Sequence, residues 1–145
     1  MLAVANRFVR YQRPTPSARG HHPGIFGLAN GLARAGVLSS TEWAFWREHN
    51  DWYEANLTYP DARAYDRAVN PRAASWFKTS AVAFLAPIPG YLAILRAHGV
   101  RCVQVRSDDP GTVVYEDAHQ VVVVPRVPAE PTDGIRPVIG VPRAG

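Results

Sequence analysis

Cysteine and lysine are almost missing from this chain, and no apolar run is long. Of its 145 residues one is a cysteine, Cys102, and one is a lysine, Lys78. A single cysteine excludes a disulfide framework within the chain and a cysteine-based zinc knuckle. The longest uncharged stretch, Thr79 to Leu95, is broken by Pro87, Pro89 and Gly90. It falls short of the roughly 20 residues a spanning helix needs, so no membrane contact is expected. The start, Met1 to Arg7, has neither a basic leader nor a long apolar core, which makes a cytoplasmic protein the expectation. On that expectation Asn56-Leu57-Thr58, a glycosylation pattern, is a chance match. The sequence also has no nucleophile elbow, Walker loop, zinc-protease histidine pair or dinucleotide fingerprint. His21, His22, His49, His98 and His119 show no metal-ligand spacing, so neither a metal nor another cofactor is expected.

What is present describes a folded chain. Hydrophobic residues make up 47% and charged residues 19%, which excludes a wholly disordered protein. The length fits one domain, able to bury roughly 68–70% of its unfolded surface without a staple. Positive charge is almost all arginine, and an arginine, alanine and glycine skew is what a GC-rich coding sequence produces. The net charge of +4 conceals alternating blocks. Residues 1–41 carry five arginines and no acid, and residues 42–66 net −4. Residues 67–107 then net +6, and residues 108–117 hold four acids and no base. Either opposite blocks face one another in the fold, or the two basic blocks form one face for an anionic partner, whether protein, nucleotide or nucleic acid.

Periodicity supplies an architecture. Asn6 to Gln12 alternates as a first strand. A helix starts near Pro23 or Gly24 and stops at Gly36. Gly27 and Gly31 within it suggest close helix packing. Ser39 and Glu42 form a capping box, in which each side chain serves the other's amide. Behind it Trp43, Trp46, Tyr53 and Leu57 share one face, with Phe45 and Trp52 beside them. That face is either plain core or an aromatic groove for a planar ligand. Asp61 to Asn70 suggests a short helix. Ala73, Trp76, Phe77, Ala81 and Phe84 predict a second strong amphipathic helix ending before Pro87. Pro89-Gly90 opens a short helix that Gly99 closes. Arg101 to Arg106, Thr112 to Glu116 and His119 to Val124 then read as strands, separated by the Ser107-Asp108-Asp109-Pro110-Gly111 turn and a reversal near Asp117. Four consecutive valines place the last strand inside the sheet. The expected fold is therefore α+β: an antiparallel sheet of three to five strands, including the N-terminal one, with helices on one face. Residues 1–125 form the domain. Residues 126–145 are a proline-rich tail in which Ile135 to Val141 is a candidate late edge strand.

Seven residues are candidates for function. Lys78 is the one lysine where arginine is otherwise used, which suits a compact ammonium. The plainer account is a surface lysine beside Trp76 and Phe77. His22 lies before a helix start, where it could serve as a base or anion contact; a solvated loop histidine is the simpler account. Tyr115-Glu116-Asp117-Ala118-His119-Gln120 is the densest polar run. In it Glu116 could orient a hydroxyl or act as a base, and Gln120 could bind, though a polar hairpin would look the same. Cys102 reads as buried and inert.

The segment Trp76-Phe77, Leu95, His98-Gly99-Val100, Pro110-Gly111, Val113, Tyr115-Glu116-Asp117 and Gln120-Val121-Val122 resembles small proteins of unknown function from actinobacteria and their phages. That resemblance covers residues 76–125 and implies no activity. Arg10 and Tyr11 on the first strand, with Glu116 and Gln120 near the last hairpin, loosely resemble the ADP-ribosyltransferase layout. The serine-threonine-serine motif of that family is missing. Its layout would require Arg10 and Glu116 to converge in one cleft. A binding or interaction protein is the first expectation, with Arg10, Tyr11, Trp76, Lys78 and Gln120 as ligand contacts. A small nucleotide-handling enzyme using Glu116 and His22 is a second, and a nucleic-acid-binding protein a third.

Overall fold

The computed structural model describes residues 6–60, 70 and 72–126. Its elements in chain order are β1 (Phe8–Gln12), α1 (Ile25–Arg34), α2 (Ser40–Asn56), β2 (Ala74–Lys78), α3 (Val82–Leu85), α4 (Ile88–Ala97), β3 (Val103–Ser107), β4 (Thr112–Glu116) and β5 (Gln120–Val124). The five strands form one sheet in the order β3-β1-β2-β5-β4, with every pairing antiparallel. This is the expected α+β arrangement. The expected helix at Asp61 to Asn70 and the candidate strand at Ile135 to Val141 lie outside the described residues, apart from Asn70.

Local signals position several elements. Ser39 caps α2: its hydroxyl accepts from the Glu42 amide at 3.1 Å, and Glu42 Oε1 accepts from the Ser39 amide at 2.9 Å. Such a cap stabilises a helix by about 0.5–2 kcal/mol. After α4 the chain turns at Gly99, whose φ of +72° suits glycine. The β3–β4 turn depends on Gly111, at φ +156°, where a Cβ would lie 2.5 Å from the Val124 carbonyl oxygen.

The sheet separates two apolar clusters. Val9 and Phe77 pack on one face with Ile25, Tyr53, Phe84 and Tyr91 from the helical segments. Phe8, Trp76, Val121 and Val123 cluster separately, on the opposite side chains of the same strands. Val122 packs apart from its two neighbours, with Ala73 and Tyr115. Val121, Val122 and Val123 are all fully buried, as the valine run implied for an interior strand.

Two expectations are corrected. The helix read across Ala73 to Phe84 is instead strand β2, a turn and the single helical turn α3. Trp76 and Phe77 are both buried because each serves a different face of the sheet. Lys78 therefore ends a strand and does not lie on a helix. Gly27 and Gly31 do not mark close packing either, since a Cβ at either would meet nothing within 4 Å. The tight contact lies between α2 and α4, where a Cβ on Gly90 would run into the Phe45 ring.

Candidate functional site

The ladder between β1 and β2 has only two pairs, Phe8 with Lys78 and Val9 with Phe77. Further along β1, the 22–24 segment takes the place of β2. Gln12 bridges to Gly24, and the Arg13 amide donates to the Pro23 carbonyl. Arg10 fills the fork. Its Nη1 donates to the Ser75 carbonyl at 2.9 Å, its Nη2 to the His22 carbonyl at 2.7 Å, and its Nε to Gln12 Oε1 at 2.7 Å. A guanidinium thus supplies hydrogen bonds where the ladder stops, which makes a buried charge tolerable. Gly24 leaves room for it, as a Cβ there would lie 3.3 Å from Nη2.

Beside this fork lies a cavity of about 330 Å³. The first turn of α1, the C-terminal half of α2 and residues 73–77 wall it. Its inner wall includes buried Val9, Ile25, Tyr53 and Phe77. Phe26 also lines it, edge-on to Tyr53 at 4.7 Å and to Tyr91 at 5.2 Å between ring centroids. Exposed Glu54, Thr58 and Tyr59 belong to the same lining.

A hydrogen-bonded chain of side chains backs one wall. The Tyr91 hydroxyl donates to Asn50 Oδ1 at 2.6 Å. Asn50 Nδ2 donates to Asn30 Oδ1 at 2.9 Å, and Trp46 Nε1 donates to the same oxygen at 2.9 Å. Asn30 and Asn50 both line the cavity. Nearby, the Tyr53 hydroxyl donates to the Phe84 carbonyl at 2.6 Å. Burial raises the pKa of both Tyr53 and Tyr91, so both phenols stay protonated donors at neutral pH.

The structure gathers four of the seven candidates here: Arg10, Tyr11, Trp76 and Gln120 line the cavity. Gln120 is buried and donates through Nε2 to the Thr58 carbonyl at 2.7 Å and to Asp117 at 3.1 Å. Tyr11 accepts from Gln104 Nε2. The other three candidates lie elsewhere. His22 is not part of the lining; its Nδ1 bonds the Arg13 carbonyl, and it is His21 that reaches the cavity. Glu116 and Lys78 form an ion pair at 2.7 Å outside the lining. The partly exposed pair stabilises by no more than about 1 kcal/mol. Arg10 and Glu116 do not share a cavity: β2 and β5 lie between their strands, a span of roughly 14 Å at normal strand spacing.

Asp117 organises the β4–β5 reversal. Its carboxylate accepts from the His119 and Gln120 amides, the Tyr115 hydroxyl and Gln120 Nε2. Burial alone would raise its pKa, but these hydrogen bonds outweigh burial and hold it below the ordinary value. The polar run is therefore largely a hairpin device. Burial pushes the Cys102 thiol up to about 11, against the opposing charge of Arg10, which leaves it protonated and a poor nucleophile.

Asn30, Asn50, Phe26 and Tyr53 carry the cavity, yet only Tyr53 was part of the aromatic pattern. A signal for Asn50 was available. It follows Trp46 by four residues and precedes Tyr53 by three, so it interrupts the aromatic stripe of α2 with an amide. Trp43 leaves that stripe and is 50% exposed. Among the described residues, no three histidine, cysteine, aspartate or glutamate side chains could hold a metal ion, and no helix is long and apolar enough to cross a membrane. No protein-family model, no curated protein and no solved structure matches this chain.

Proposed function

We propose that this is a small-molecule-binding protein, with its ligand seated in the cavity between α1, α2 and the β1–β2 fork. The observation that carries this reading is the cavity itself. At about 330 Å³ it falls in the size range of ligand sites, and it combines aromatic walls with a few polar groups. Binding fits better than catalysis, because the candidate base Glu116 is paired with Lys78 away from the cavity. Binding inside the cavity also fits better than binding through one basic face. Glu42 pairs with His98 at 2.8 Å, Lys78 with Glu116, and Arg126 with Asp109 at 2.8 Å. Each of these contacts joins an acidic block of the sequence to a neighbouring positive one, so opposite blocks meet in the fold.

The test uses the full chain and indole as a probe, followed by nuclear magnetic resonance. Indole is expected to shift the resonances of Phe26 and Tyr53 in a saturable way. Gly27 lines the cavity, and a Cβ there would meet nothing within 4 Å. Gly27→Leu should leave the fold intact and weaken the effect. Shifts confined to residues outside the cavity, or equal in both proteins, would count against the proposal.

A further inference from the structure

Resting on that reading, we infer that the ligand is a neutral ring compound bearing a carbonyl-type acceptor, and that the Asn30 side-chain amide is the donor that recognises it. An asparagine carries one oxygen with two lone pairs and one nitrogen with two N–H groups. Both acceptor sites of Asn30 Oδ1 are filled, one by Trp46 Nε1 and one by Asn50 Nδ2, each at 2.9 Å. Those two donors fix which end of the amide is oxygen. The NH₂ end forms no hydrogen bond among the described residues, and Asn30 lines the cavity. Asn50 is itself held by the Tyr91 hydroxyl on its oxygen. Tyr91 is fully buried, so the whole relay is anchored in the core. A donor pair held this way is preorganised: its orientation is set before a ligand arrives, which is the usual source of selectivity in a polar contact.

The charges around the cavity select against ions. Arg10 gives its guanidinium to the Ser75 and His22 carbonyls and to Gln12, and His21 is also engaged within the chain. Both are thus held by partners in the chain, although Arg10 keeps its positive charge. Exposed Glu54 adds a negative charge to the lining. Arg10 and Glu54 leave the lining with no net formal charge, so an ionic ligand gains no net attraction to repay its desolvation, whereas a neutral carbonyl accepts from Asn30 at no such cost. The ring belongs beside Phe26, Tyr53 and Phe77, whose mutual edge and stacked contacts make an apolar wall.

The experiment compares benzamide, benzoate and benzylamine on the full chain by nuclear magnetic resonance. The three probes share a ring and differ in acceptor and charge. Benzamide is expected to bind most tightly and to shift the Asn30 NH₂ resonances. Asn30→Asp keeps an oxygen for Trp46 and Asn50 but replaces the donor end with an acceptor. It should weaken benzamide by about tenfold or more and favour benzylamine. The Trp46 indole N–H resonance reports whether the relay survives; if it does not, Asn30→Ser removes the donor pair in its place. Equal benzamide binding at Phe26 and Tyr53 in wild type and variant would overturn the role of Asn30 and leave the cavity reading standing. Tighter binding of benzoate than of benzamide would overturn the neutral-ligand assignment. Absence of cavity shifts with all three probes, and with indole, would overturn both readings.

Discussion

Arg10 Nη1 donates to the carbonyl oxygen of Ser75 at 2.9 Å, joining β1 to β2 where their own ladder has ended. The same side chain holds His22 and Gln12. An arginine read from the sequence as a ligand contact is thus a strut of the fold, and it shapes one side of the cavity.

Arg10→Lys tests that role. A lysine keeps the charge but cannot reach two carbonyls and an amide oxygen with one planar fork. The expected loss is about 2–4 kcal/mol, from unpaired buried carbonyls and a poorly compensated charge. Urea unfolding measures it. A loss below about 0.5 kcal/mol, the usual range of surface changes, would show that the fork holds without this side chain.

Two glycine-to-alanine changes should have opposite signs. At Gly31, within α1, an added methyl meets nothing, so Gly31→Ala should stabilise by about 1 kcal/mol through helix propensity. At Gly90 the methyl would run into Phe45, whose ring is stacked on His49 and edge-on to Tyr91. Overpacking there costs about 1–3 kcal/mol and should exceed the propensity gain. Thermal melts of the two variants decide the matter. A stabilised Gly90→Ala protein would contradict the close contact between α2 and α4.

Glu42 links the start of α2 to the end of α4 and should make stability depend on pH. The hydrogen bond from His98, followed by the Ser39 amide, holds its carboxyl below the ordinary glutamate value. A folded-state pKa below the unfolded one contributes stability above the unfolded pKa, and that contribution is lost as pH falls through the folded pKa. Glu42→Gln should therefore melt below wild type at about pH 5, with the gap closing towards about pH 3. A gap that does not change over this range would show that the carboxylate charge is not what stabilises the junction.

Sequence alone determined the features that local chemistry controls. The capping box of Ser39 and Glu42, the turn at Gly111 and the interior position of the valine strand depend on a few adjacent residues, and each is present. Tertiary structure decided the rest. A strand buried on both faces loses the alternation that identifies it. Trp76 and Phe77 therefore gave a helix-like spacing, and only pairing with Val121 and Val9 makes the segment β2. The cavity could not be read from the sequence for the same kind of reason. Asn30 and Asn50 are 20 residues apart on separate helices, and Arg10 reaches a carbonyl 65 residues away. Spacing along a chain carries no record of such contacts, because packing alone brings the groups together. The near-absence of lysine singled out Lys78, yet its place at a strand end gives it an ion pair with Glu116 and keeps it out of the cavity.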